Sequence, residues 1–276
     1  MINFLHNFNP DPILFYWNGI KINWYGFLIV LGIVLGTLLA IKLAKYYQIP
    51  KELILDLAFW LIIGGILGAR IYHVGLEFSY YLTHPLNIFK VWEGGLAIHG
   101  AVIGGIIVLL IFARFATGLS GNFKKNFWLL SSIAAPALIL AQAVGRWGNY
   151  FNQELFGRPT DLPWGIPIAE TNRPIMYMGD QYFHPTFLYE SLGNLLIFVI
   201  LLGIHIYLIK KGKQNWEVVV VSYLVLYSLL RFFTEFIRID PTPMVAGLRF
   251  PQIMSLILIV LALLLTVPRI RRKITK

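Results

Sequence analysis

Three arginines interrupt stretches otherwise apolar enough to cross a membrane: Arg70, Arg146 and Arg231. At membrane depth an arginine costs about 2.5 to 3.5 kcal/mol on insertion scales, so each needs a compensating partner or a task. In RFFTEFIR, Arg231, Glu235 and Arg238 fall at i, i+4 and i+7, which predicts one helical stripe. Gln142, Arg146 and Asn149 repeat that spacing in AQAVGRWGNYFNQELFG. Gly145 and Gly148 bracket the arginine there, so that another backbone or a lipid headgroup can come close, and Gly157 is expected to supply a positive-φ turn just beyond. An arginine fork grips two oxygens of one phosphate, where a lysine offers a point charge. The chemistry indicated is capture of an anionic group, with a phospholipid headgroup the natural ligand. Plainer readings stand beside it: an internal ion pair that locks helices for Arg231, and a snorkelling arginine at a helix end for Arg146.

His99 lies among glycines in GGLAIHGAVIGG. The Gly100 and Gly104 spacing is a small-xxx-small pattern that draws membrane helices together. His99 itself is read either as an interhelical hydrogen-bond partner or as a group able to move a proton near neutral pH. Arg70, His73 and Glu77 at i, i+3 and i+7, and Tyr189 and Glu190 in HPTFLYES, are read as groups that neutralise and orient the others, or as links between helices. Tyr25, at the start of the first apolar stretch, could donate a hydrogen bond inward.

These side chains must be positioned by helices in a bilayer. Of the 276 residues, 58% are hydrophobic and 13% charged, and the mean hydropathy is +0.70, too apolar for a soluble domain of this size. Apolar runs of about the length a bilayer demands are read at 24–45, 55–75, 96–115, 127–146, 187–209, 218–237 and 250–267. The fold class expected is therefore an all-α integral membrane protein, a single bundle of about seven transmembrane helices. Loops on one side carry fourteen Lys and Arg, including Lys210, Lys211, Lys213 and the tail from Arg269, against six on the other. The positive-inside rule then puts the C-terminus in the cytoplasm and the N-terminus outside. That distribution makes the net charge of +10 a topology signal, not a nucleic-acid patch. The polar connection 147–185 falls outside and, rich in Pro, Gly, Asn and Asp, should be a folded extracytoplasmic region. The first twenty residues show no cleavable signal. There is no cysteine, so any thiol chemistry uses a partner's sulfur. Neither H-E-x-x-H nor another ligand-spaced cluster implies a metal, and no cofactor is expected.

In order along the chain, INWYG (22–26), GGLAIHGAVIGG (94–105), GRWGNYFNQELFGRPT (145–160), HPTFLYES (184–191) and RFFTEFIR (231–238) resemble the prolipoprotein diacylglyceryl transferase family over nearly the whole length. The resemblance implies a seven-span bacterial inner-membrane bundle with an extracytoplasmic head. It also implies transfer of the diacylglyceryl moiety of phosphatidylglycerol to the lipobox cysteine thiol of a prolipoprotein, with release of glycerol 1-phosphate. Matched position by position, the lipid-binding arginine falls on Arg146, the second essential arginine on Arg231 and the motif histidine on His99, while Tyr25, Asn149, Glu154, Gly157 and Glu235 match other marked positions. Trp147, Tyr150 and Gln153 depart modestly and remove no charged group. On this reading His99, Arg231, Tyr25 and Glu235 are catalytic, and Arg146, Asn149, Glu154, Gly157 and Arg238 bind substrate.

Two other classes compete. A secondary transporter of an organic anion would show inverted repeats and a midplane site, whereas these polar stripes gather at the outer ends of the spans. An intramembrane protease would want paired aspartates or a serine and histidine pair, and of the five aspartates only Asp56 lies near a span.

Overall fold

A computed structural model describes residues 2–265. The chain opens with α1 (Ile2–Asn7) and a hairpin of β1 (Ile13–Trp17) and β2 (Ile20–Asn23), followed by α2 (Trp24–Tyr46), α3 (Lys51–Leu76), α4 (Phe78–Thr83), α5 (Ile98–Phe115) and α6 (Phe123–Phe151). Next come β3 (Ile166–Pro167), β4 (Tyr182–Phe183), α7 (Thr186–Lys210) and α8 (Glu217–Thr234). A short hairpin of β5 (Met244–Val245) and β6 (Leu248–Arg249) then leads into α9 (Phe250–Leu264).

Among the described residues, α2, α3, α5, α6, α7 and α8 are long and apolar enough to cross a membrane, and α9 is a shorter apolar helix of 15 residues. Many of their large side chains face outward, such as Leu38, Leu67, Leu196 and Val199. Water would not tolerate that surface, but acyl chains do. The protein is an all-α, multi-pass membrane protein. Two helix boundaries differ from the sequence reading in ways that matter. The fourth span runs on to Phe151, so Arg146 and Asn149 sit on regular helix. The sixth ends at Thr234, three residues early. The seventh reading extends past Leu265, and the basic tail from Arg269 also lies outside the described residues.

The helices fall into two compact units, one of residues 37–134 and one of the residues up to 36 and from 135 onward. In the first, α3 and α5 meet backbone to backbone. Side chains added at Gly68, Gly100 or Gly104 would collide with the facing helix: Gly68 lies against the Gly100 carbonyl, and Gly104 against that of Gly64. This is the small-residue packing anticipated for Gly100 and Gly104. Asn126 Nδ2 donates to the Ala113 carbonyl at 3.1 Å, tying the start of α6 to the end of α5.

In the second unit, α2 packs closely on α6, where a Cβ at Gly32 would lie 3.0 Å from the Ala141 carbonyl oxygen. Ala135, Ile139, Ile197, Leu201, Leu208 and Val219 form the buried core shared by α6, α7 and α8. The connection from α6 to α7 is folded, as its composition suggested: Leu5, Tyr150, Phe156, Ile166, Ile168, Phe183 and Phe187 make a second core, and β3 pairs antiparallel with β4. Left-handed turns let the chain leave α6 sharply, but they occur at Gln153 (φ 49°) and Leu155 (φ 56°) and not at Gly157.

Candidate active site

Glu190, in the first turns of α7, is the hub of the site. Its carboxylate is buried and takes charge contacts from three arginines: Arg146 Nη2 at 2.6 Å, Arg238 Nη1 at 3.0 Å and Arg231 Nη1 at 3.6 Å. A second buried carboxylate, Glu235, meets Arg231 at 2.5 Å, Arg249 at 2.6 Å and Arg238 at 3.6 Å. Asp240 closes the network against Arg238 at 2.7 Å and Arg249 at 3.4 Å. Four guanidiniums face three carboxylates, leaving one positive charge in surplus.

The distribution of exposure gives that surplus a direction. Side chains of Glu190, Glu235 and Arg238 are 4%, 0% and 3% exposed, whereas those of Arg146 and Arg231 keep 20% and 19%. Glu190 and Glu235 are sealed while Arg146 and Arg231 remain reachable; Asp240, at the Arg238 and Arg249 side of the network, is itself 25% exposed. A buried charge needs this kind of pairing, since an unpaired one carries a heavy desolvation penalty. Arg238 lies past the end of α8. Burial alone would lower its pKa, but its hydrogen bond to Asp240 and the Glu190, Asp240 and Glu235 carboxylates outweigh that and raise it above the ordinary arginine value.

Local sequence explains how these groups converge. Arg231 and Glu235 are one turn apart, with Glu235 capping α8. Arg238 does not continue the stripe, because the helix has already ended. It is brought back by an antiparallel bridge to Gly157, supported by Arg158 N–H donating to the Ile237 carbonyl at 2.9 Å. Gly157 is thus a close-approach glycine: a Cβ there would lie 2.7 Å from Ile237 and 2.8 Å from His184. Arg249 ends β6 and caps α9 together with Gln252. Its guanidinium also donates to the Arg238 and Asp240 carbonyls at 3.2 and 2.8 Å.

Beside the arginines, Asn149 Nδ2 donates to Glu154 at 2.8 Å, and Tyr25 is within electrostatic reach of both Glu154 and Arg146. Gly148 makes room for the Tyr25 ring, whose Cδ2 would be 2.6 Å from an added Cβ. Gln142 bonds Tyr223 at 3.3 Å. His184 and Trp164 both bond the Tyr189 hydroxyl, at 3.1 and 2.8 Å, and burial lowers the His184 pKa.

Arg146, Arg231, Glu235 and Arg238 therefore form one network, with Tyr25, Asn149 and Glu154 next to it. His99 belongs to the other unit, exposed at the start of α5 with its ring 5.8 Å from Tyr72. Arg70, which the sequence reading grouped with orienting residues, is committed to backbone. Its guanidinium donates to the carbonyls of Asn87, Ile88, Lys90, Gly94 and Gly95, organising the connection from α4 to α5. The sequence reading did not single out Arg249 or Asp240, and it assigned Glu190 only a supporting role. A chain-distant carboxylate facing several intramembrane arginines was the available signal for Glu190.

Fold and site define a class: a polytopic helical membrane protein with a carboxylate-backed arginine cluster able to hold an anionic group. The family model for prolipoprotein diacylglyceryl transferase matches residues 12–268. Curated relatives named phosphatidylglycerol-prolipoprotein diacylglyceryl transferase are 45% identical in Acaryochloris marina, covering 90% of this chain and 87% of that protein. Those from Synechocystis sp. and Nostoc sp. are 42% and 44% identical, each covering 92% of this chain and 87% and 88% of theirs. The chain belongs to the prolipoprotein diacylglyceryl transferase family and is a transferase. None of these relatives supports the transporter reading.

Proposed function

We propose that the chain transfers the diacylglyceryl group of phosphatidylglycerol to the lipobox cysteine thiol of a prolipoprotein signal peptide, releasing glycerol 1-phosphate. The observation that carries this reading is the pair of reachable guanidiniums, Arg146 and Arg231, braced from behind by Glu190. In the reaction the sulfur attacks the glyceryl carbon, a C–S bond forms and the C–O bond to phosphate breaks. Negative charge grows on the departing phosphate, and fixed guanidiniums stabilise it most if they need not reorganise. Arg146 grips the phosphate and Arg231 takes up the developing charge. Glu235 holds Arg231 in place, Arg238 fixes Glu190, and Asn149, Glu154 and Tyr25 line the approach next to Arg146. Gly157 keeps the Arg238 segment close.

The thiol must lose its proton to react well. His99 is assigned that proton on its family motif. The step is a substitution in which no electrons change hands, so the scheme invokes no cofactor.

We read the molecule as one transmembrane domain of the bacterial inner membrane. Its N-terminus and the folded region 147–185 lie outside, and its C-terminus is cytoplasmic. The test of activity is incubation of the purified protein with labelled phosphatidylglycerol and a lipobox peptide: a peptide heavier by one diacylglyceryl group supports the proposal, and an unchanged mass refutes it. Arg146→Lys keeps the charge but loses the fork, so transfer should fall at least about tenfold; near-normal transfer removes Arg146 from phosphate binding. Orientation is tested by single cysteines at Thr171 and Gln214, both exposed. An impermeant reagent should label the first from outside and spare the second.

A further inference from the structure

The opposite end of the α7–α8 hairpin carries a second feature that the transfer chemistry does not use. About 20 to 27 Å along α7 from Glu190, at 1.5 Å per residue, residues of the two helices and their turn line a cavity of about 420 Å³. Its lining combines apolar Gly203, Ile204, Leu208 and Val218 with polar Tyr207, Lys213 and Asn215. Nothing lies within 4 Å of where a Gly203 side chain would begin, so this glycine opens the notch. Lys213 sits at the rim with its ammonium 3.3 Å from the Tyr207 hydroxyl and 5.3 Å from the ring centroid.

Three observations identify the occupant. The turn region joining the helices bears Lys210, Lys211 and Lys213, and the one acidic residue between Gly203 and Val218 is Glu217, the first residue of α8, so this end carries a net positive charge. The surrounding helix surface is apolar and exposed, with Ile206, Tyr207 and Val218 facing outward, so the cavity opens where acyl chains run. From the level of Lys210 down to Gly203 is about 10 Å of helix, the depth of a phosphate, a glycerol and the first carbons of a chain. A soluble anion would meet the polar lining and leave the apolar lining unfilled; a zwitterionic lipid would bring its own cation against the lysines.

We propose that this cavity is a binding site for one anionic glycerophospholipid of the leaflet at that end. Its phosphate lies against Lys213 and Asn215, and the root of an acyl chain lies along Gly203, Ile204, Leu208 and Val218. The site is separate from the arginine cluster and binds lipid as a structural ligand, not as a donor.

The test uses the full-length protein purified in detergent and titrated with dioleoyl phosphatidic acid or dioleoyl phosphatidylcholine, with retained lipids counted by native mass spectrometry. The wild type should retain phosphatidic acid in preference to phosphatidylcholine. Lys213→Gln, which removes the charge, and Gly203→Leu, which fills the notch, should each weaken that retention about tenfold, the scale of one charge-assisted contact or one filled subsite. Lys213→Arg should restore it, and Lys42→Gln, at another basic position, should leave it unchanged. Excess inorganic phosphate should not displace the lipid. Equal retention of phosphatidic acid by wild type, Lys213→Gln and Gly203→Leu overturns the proposal, as does equal retention of the two lipids by wild type or displacement by phosphate. Transfer to a lipobox peptide is measured in parallel and should stay within about twofold in Lys213→Gln, so that failure here is distinguishable from failure of the transfer reading.

Discussion

Replacing Glu190 with Gln keeps the size of the side chain and deletes one charge from the centre of the arginine network. The wild-type carboxylate lies 2.6, 3.0 and 3.6 Å from three guanidiniums and is almost wholly buried. A unit charge pair at 4 Å is worth about 4 kcal/mol at an effective dielectric of about 20. Desolvation offsets much of that, and breaking a buried pair by removing one partner costs about 3 to 5 kcal/mol. Here the penalty is compounded, because four guanidiniums then face only Glu235 and Asp240. At about 1.4 kcal/mol per decade, the folded-to-unfolded ratio should drop by between about two and four decades. Thermal unfolding in detergent reads this loss as a lowered midpoint. Transfer at saturating phosphatidylglycerol reads the consequence for Arg146 and Arg231, and should fall at least about tenfold because their forks are no longer held. Glu190→Asp retains the charge at a shorter reach and should lie between the two. If Glu190→Gln unfolds at the wild-type temperature and transfers at the wild-type rate, the carboxylate is not the brace argued for here.

Other outcomes follow from single positions. Gly148→Ala drives a methyl to within 2.6 Å of the Tyr25 ring and should cost about 1 to 3 kcal/mol with loss of transfer. Gly145→Ala, with open space at its Cβ, is the matched control, and equal losses in both would show that helix propensity, not ring contact, is at work. With His99 as the thiol base, transfer should decline in acid as a histidine protonates, and His99→Asn should be slower and lack that decline; a wild-type profile flat through this range excludes the role. Burial lowers the pKa of His184, so the fold favours its neutral ring. That contribution is complete above the unfolded histidine value of about 6.5 and is lost as the pH falls through the lower folded value. The unfolding midpoint should therefore drop on acidification, more in wild type than in His184→Gln; parallel curves would count against it.

Helices were legible because the bilayer imposes a length and a composition that few other environments demand, and the apolar runs display both. The arginines stood out for the same reason, since a guanidinium inside such a run is costly. What could not be read is convergence through irregular backbone. Arg238 seemed to extend the stripe of Arg231 and Glu235, yet α8 stops at Thr234, and it is the bridge to Gly157 that returns Arg238 to the network. Arg249 looked like an ordinary loop cation until the β5–β6 turn carried it to Glu235. Gly157 was expected to set a positive φ and instead admits two neighbouring segments. Arg70 had the same apparent credentials as Arg146, but backbone carbonyls, which carry no sequence signature, claim its donors. The Asn18-Gly19 turn of the first hairpin, with φ of 45° and 85°, was a local signal within reach of sequence, because that dipeptide favours tight hairpin turns.

The glycine contact between α3 and α5 bears on how a fatty substrate could move through the protein. Where large side chains meet, thermal rotamer flips can part them briefly and let a hydrocarbon tail slip by. At Gly68 and Gly104 main chain rests on main chain, and Val108 and Tyr72 close over Gly64 and Gly100. On the scale of a methylene that seam leaves no gap for a hydrocarbon tail to part.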